Sequence, residues 1–285
     1  MTQPTSINMT FDTSLVDVNP PPRIEHMPTR DTYNQWASVY DTDGNMLQAI
    51  DDVELATRLP DFLSQVLRSM AHNGGMQEVR VLDVGCGTGR TTAKLVQYNW
   101  HGQAKHVHVT GIDFSQAMLD VARTKLTREK LHQGGAEESR AKVRWRLECG
   151  DVFSPPLAFS LEPQHAIVST LVLEHVPLAT FLSTVASLLV VGGMALITNM
   201  HADMGRTSQA GFVNANGVKI RGQSFVYTVQ ETVQSAKESG FEVLGTWERE
   251  VTREHVDEKG ANIGERGKKW VGIKVWYGLV IRKVR

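Results

Sequence analysis

The sequence is short of several things, and each shortage closes off a class of function. Only two cysteines occur in 285 residues, Cys86 and Cys149. That count excludes a disulfide framework, and two thiols cannot close a zinc site alone, so no metal is expected. Both follow expected strands and read as buried thiols in a reducing compartment, which makes a cytoplasmic protein the expectation. No apolar run approaches the length of a membrane span, and the amino terminus lacks the charged start and apolar stretch of a signal peptide. An excess of one charge is missing too: 30 Lys and Arg stand against 31 Asp and Glu, a net charge of −1. Neither nucleic acid nor a membrane is therefore expected as a partner. Internal repeats are absent. What remains is ordinary globular composition, at a length able to bury a full core.

Residues 79–90 organise what is there. Val81, Leu82 and Val84 predict a buried strand, and Gly85, Gly87 and Gly89 follow at alternate positions before a helix starts near Arg90. Glycine has no Cβ, so such a turn brings bare backbone close to a ligand, and the helix start adds free N–H donors. The spacing is neither the dinucleotide fingerprint nor the P-loop. Asp83 would repel a pyrophosphate and suit an ammonium group, so the expected ligand is a nucleoside that also carries an amine. Residues 107–112 predict the second strand. Asp113 closes it, the place where a carboxylate takes both ribose hydroxyls. Phe114 and Met118 would flank an adenine, and Ser115 would cap the next helix.

The segments Leu82-Asp83-Val84-Gly85-Cys86-Gly87-Thr88-Gly89 and Asp113-Phe114-Ser115-Gln116-Ala117-Met118-Leu119 resemble the class I S-adenosylmethionine-dependent methyltransferases. The resemblance covers roughly residue 33 to the end. It implies S-adenosylmethionine as cofactor, held by Asp83, Gly85, Cys86, Gly87, Gly89, Asp113, Phe114 and Met118. Gly150, Asp151 and Val152 would lie against the adenine, and Tyr40 by the methionine end.

Ahead of the glycine turn, Tyr33, Trp36, Ala37 and Tyr40 share one helical face. In the family such a segment is a lid, so Tyr33, Trp36 and Tyr40 are candidate acceptor contacts. After the fourth strand, at 166–173, comes Glu174-His175-Val176-Pro177, where acceptor and cofactor should meet. His175 is a candidate base, since imidazole titrates near neutrality, and Glu174 is equally ambiguous. A helix is expected over 181–191, stopped by Gly192-Gly193, then a fifth strand over 194–199. Residues 201–227 show no long apolar period and read as an acceptor-side insertion. His201, as a second candidate catalytic group, and Asp203, Arg206, Arg221 and Tyr227 are its candidate contacts; the two arginines would suit a carboxylate acceptor.

Strand and helix alternate to Gly240, then two strands follow in succession. That pattern predicts an α/β fold: a Rossmann-like, seven-stranded, mostly parallel sheet with an antiparallel last strand and helices on both faces. The order 3-2-1-4-5-7-6 is what the resemblance implies. The expected layout is a flexible arm over 1–28 and one methyltransferase domain over 29–285, with a helical lid over 29–75. A charged, mobile loop is expected over 249–269. The function read from this is methyl transfer to a small-molecule acceptor, O-methylation first, in a monomer or homodimer. Two rivals stand beside it. One is a nicotinamide-dependent oxidoreductase. The other is a methyltransferase-like protein that uses the cofactor structurally or for a non-methylating reaction.

Overall fold

The computed structural model describes residues 23–71, 78–100, 104–130, 141–154, 160–256, 263 and 265–285. The proline run at 20–22 and the rest of the arm to residue 22, the helix stop at 73–75 and the polar loop at 132–139 lie outside the described residues.

The strand at the centre is β2 (Glu78–Val84). It pairs in parallel with β3 (His106–Asp113) on one side and β5 (Gln164–Thr170) on the other. β4 (Lys142–Cys149) adds beyond β3, and β6 (Leu189–Met200) beyond β5. β10 (Lys274–Lys283) inserts antiparallel between β6 and β9 (Phe241–Glu250). The resulting order is β4-β3-β2-β5-β6-β10-β9. This is the expected 3-2-1-4-5-7-6 arrangement when only the strands of the large sheet are counted.

Period-two alternation along the strands feeds two cores. Leu82, Val84 and Ile167 face α5 (Leu178–Leu188) and α7 (Val229–Glu238), where Phe181, Leu182, Val185 and Ala236 are buried. Val79, Val81 and Val168 face the opposite side, against Leu55, Leu59, Phe62 and Leu63 of α2 (Met46–Ala71). α3 (Arg90–Gln97) and α4 (Gln116–Lys130) complete the crossovers. Ser115 caps α4 through the Met118 N–H, as expected. Thr228 and Glu231 form a reciprocal capping box at the start of α7.

Four features depart from the sequence reading. The apolar stripe Leu59, Phe62, Leu63, Val66, Leu67 and Met70 predicts a helix over 55–71, but α2 begins nine residues earlier, at Met46, with the Asn45 side chain accepting from Leu47 N–H. Asp51 and Glu54 interrupt the apolar period ahead of Leu55, and they are buried and paired with Arg90 and Arg249 rather than solvated. The helix expected over 181–191 stops at Leu188, and β6 starts at once. Gln164 pairs with Leu189 but Ala166 with Met194, so residues 190–193 bulge outward, with Gly192 at φ 81°. The end of the expected arm is also ordered. There β1 (Ile24–His26) pairs with β8 (Lys219–Arg221), which forms a hairpin with β7 (Gly211–Val213) inside the insertion. Finally, the charged segment between β9 and β10 is not simply a mobile loop. After α8 (Arg253–Val256), it buries Ile263 and Trp270 against Met46, Ile50 and Val275. Residues 257–262 and 264 of that segment are outside the described residues.

Candidate active site

The carboxyl ends of β2, β3, β4 and β5 open on one side of the sheet, at the point where strand order reverses. The three glycines of the turn after β2 have left-handed backbone: φ is 67° at Gly85, 53° at Gly87 and 78° at Gly89. A Cβ at Gly85 would overlap Val172, whereas one at Gly87 would meet nothing within 4 Å. Cys86 is buried beneath the turn and ties it to β3 through an N–H bond to the Ile112 carbonyl. Gly89 is the N-cap of α3.

Asp113 stands at the end of β3. One of its oxygens accepts from Gly87 N–H at 2.9 Å and the other from Ser115 N–H at 2.8 Å. Each keeps a further lone pair for a ligand hydroxyl. Burial pushes its carboxyl up to about 6 against those two bonds. Asp83 is buried below the turn, not in it. It accepts from the Thr92 hydroxyl at 2.6 Å, while its Oδ1 has no partner, and burial lifts it to about 6 as well.

A cavity of about 360 Å³ opens above these groups. Gly85, Gly87, Asp113 and Phe114 line one side, and Gly150, Asp151 and Val152 another. Asp151 accepts from Phe153 N–H and from the Ser154 hydroxyl. A second cavity of about 400 Å³ adjoins it; Tyr33, Tyr40 and Leu171 line both. Leu171 has φ 57°, the one described non-glycine residue with left-handed backbone, at the wall between the chambers. The second chamber is walled by Trp36, Met46, Met200, Met204, Phe212 and Trp270.

His175 reaches the first cavity with both ring nitrogens committed. Its Nδ1 lies 2.8 Å from the Gln223 carbonyl and so carries the proton; the Tyr33 hydroxyl donates to Nε2 at 2.8 Å. Burial holds the Tyr33 phenol well above its usual range. Glu174 is buried and lines the second cavity, its Oε2 without a partner, and burial raises its carboxyl.

Other expected residues stand elsewhere. His201 lines neither cavity: it caps α6 (Ala202–Gly205) by accepting from Asp203 N–H, and its Nε2 donates to Glu248 at 2.8 Å. Arg206 is exposed and bonded to Asp203. Arg221 lies behind the second cavity wall, its Nη1 3.5 Å from Gln209. Tyr227 clamps the entry to α5, donating to the Val176 carbonyl and accepting from Leu178 N–H. Met118 packs with Trp36, Phe212 and Ile220 rather than facing a cavity. Cys149 is exposed, not buried, because β4 is an edge strand and its last residue faces outward. Sequence reasoning missed Met46, Met200, Phe212, Trp270 and Leu171. Nothing in a linear pattern sets them apart from core residues.

The comparisons with known proteins agree with this geometry. The methyltransferase domain family matches residues 81–193. An uncharacterized methyltransferase of Emericella nidulans is 39% identical over 270 residues, covering 90% of this chain and 91% of the relative. The chain belongs to the class I S-adenosylmethionine-dependent methyltransferases. This methyltransferase is also 33% identical over 143 residues to a ubiquinone biosynthesis O-methyltransferase of Alkalilimnicola ehrlichii, across 50% of this chain and 47% of that one. Its fold is similar to that of the [4+2]-cyclase SpnF, with a TM-score of 0.51 and 18% identity over 91% of this chain and 99% of that one. The cofactor is S-adenosylmethionine, and the nicotinamide reading is set aside. The first cavity suits it: Gly85 and Gly87 bring backbone without a side chain to its wall, and a carboxylate with spare lone pairs faces the space.

Proposed function

We propose that this methyltransferase transfers a methyl group to a hydroxyl oxygen of a small molecule seated in the second cavity. The cofactor supplies a sulfonium methyl already activated for transfer. Asp113 would hold its ribose, Asp151 and Phe114 its adenine, and the turn from Gly85 to Gly89 its amino-acid end. The chain's remaining tasks are to align the acceptor, exclude water and take the acceptor's proton.

The observation that carries the reading is Glu174: one buried carboxylate with a free oxygen, facing a chamber that shares a wall with the cofactor cavity. A carboxyl raised by burial is a better base near neutrality than an ordinary one. Glu174 would take the proton that the acceptor hydroxyl gives up when the methyl leaves the sulfonium sulfur for that oxygen and S-adenosylhomocysteine remains. His175 serves by fixing the Tyr33 hydroxyl in the shared wall, and the helical lid with the 201–227 insertion roofs the chamber. The name of the Alkalilimnicola ehrlichii relative supports oxygen as the atom methylated.

The test uses tritiated-methyl S-adenosylmethionine with a metabolite extract. The expected product is a base-stable methyl ether. In Glu174→Gln, kcat is expected to fall about 10²-fold, with S-adenosylhomocysteine affinity within about twofold of wild type. Undiminished turnover in the variant, or a product that releases methanol in base, would sink the reading.

A further inference from the structure

We propose that the acceptor is itself an anion: a carboxylate, sulfonate or phosphate on an apolar body, its charge held by Lys219, Lys269 and Arg266 at the second cavity. The inference rests on that cavity being the acceptor chamber and adds the class of molecule it takes.

Three cations line the chamber, Lys219 from β8 and Arg266 and Lys269 from the turn before β10. None forms an ion pair with a described acidic residue. Other lysines and arginines of the surface do find acids: Lys125 meets Asp41, Lys274 meets Glu248 and Arg282 meets Glu242. The acids lining the same chamber do not neutralise the cluster. Asp43 is occupied at both oxygens, by the Trp36 indole N–H at 2.7 Å and the Asn45 N–H at 3.0 Å. Glu174 comes from the turn after β5, 4.0 Å from His175 Nε2.

The cations also crowd one another. Alternation in β8 sends Lys219 and Arg221 to the same face. Burial, then Arg221 and Lys269, press the Lys219 ammonium below its usual range. Arg221 has a buried Nε with no partner, and the hydrogen bond its side chain makes, 3.5 Å from Nη1, is to Gln209, which lines the chamber. Lys269 sits 5.1 Å above the Trp270 ring, itself a wall. An anion entering here would relieve this repulsion and satisfy donors that have none. An apolar body would lie against Trp36, Met200, Met204 and Phe212, the methionines adapting to its shape.

The test needs two probes that share one body. Protein saturated with S-adenosylhomocysteine is titrated with 8-anilinonaphthalene-1-sulfonate and with N-phenyl-1-naphthylamine, which lacks only the sulfonate. The sulfonate is expected to bind at one site at least about tenfold more tightly, the preference shrinking as salt is raised. In the double variant Lys219→Met, Lys269→Met the preference is expected to fall below about threefold, with the neutral amine bound as before. Arg266→Gln, at an exposed position, gives a second variant should the first fail to fold. Equal affinity of wild type for the two probes, or a preference untouched by both variants, overturns the proposal. Full activity of Glu174→Gln with the sulfonate preference intact would instead remove the acceptor-chamber reading and leave an anion site.

Discussion

Asp113 and Asp83 differ by what each oxygen meets, and that difference sets two predictions. Asp113 accepts two N–H bonds and faces a cavity. As a ribose acceptor it must be ionised, and burial places its proton at about 6. S-adenosylhomocysteine affinity is therefore expected to weaken about tenfold between pH 7 and pH 5, and Asp113→Asn to bind weakly with no such slope. Isothermal titration at both values checks it. Asp83 has one unpartnered, fully buried oxygen. Its value is raised from 3.8 to about 6, so the folded state holds this proton more tightly than the unfolded one. Its contribution thus favours folding below about pH 4 and is lost as pH rises through about 6. Asp83→Asn is expected to gain about 3 kcal/mol on wild type between pH 4 and pH 8, read by urea unfolding at each pH. Flat behaviour of the difference would contradict the buried charge. At this scale the sequence was informative: acids at 83 and 113 were both legible from their places at the ends of strands. Their more distant partners were not, because Thr92 meets Asp83, and Gly87 meets Asp113, only once α3 and the turn pack on the sheet.

Elements explain why the turn and the loop after β5 act together. Gly85 and Gly87 both have left-handed backbone, yet only at Gly85 would a Cβ strike a neighbour, Val172. An alanine at either position costs about 1–2 kcal/mol of backbone strain. At Gly85 it must also displace the segment that carries Glu174 and His175. Gly85→Ala is expected to melt several degrees below Gly87→Ala, and to lose acceptor turnover beyond its loss of cofactor affinity. Scanning calorimetry with single-turnover kinetics separates the two; equal melting points would refute the coupling. Helix and strand identities in the βα alternation were legible, since long apolar periods dominate there. The β1, β7 and β8 strands were not. Each is three residues long, and the pairing of β1 with β8 joins positions nearly two hundred residues apart.

Across the whole molecule, Asp51 binds α2 to α3 and the sheet. It is fully buried and meets Arg90 of α3 at 2.5 Å, Thr198 of β6 at 2.7 Å and Trp276 of β10 at 2.8 Å. Removing it leaves a buried indole N–H and a hydroxyl without their acceptor, and Arg90 with Asp52 as its remaining described carboxylate. Asp51→Ala is expected to cost about 3–5 kcal/mol, visible as a lowered urea midpoint. A loss under about 1 kcal/mol would show that water replaces the network. No described helix is long and apolar enough to cross a membrane.

The sequence by itself determined the cofactor half. Strand, glycine turn, helix and the acids that follow are local, and their spacing reflects backbone geometry that any chain must obey. Sheet order followed from the same alternation together with family resemblance. Only the tertiary structure decided the acceptor half. It moved His201 to a helix cap and Arg206 to solvent, and brought Lys219 together with Arg266 and Lys269 across the chamber. Those residues come from a hairpin and from the segment between the last two strands, and no periodicity records which distant segments will share a wall.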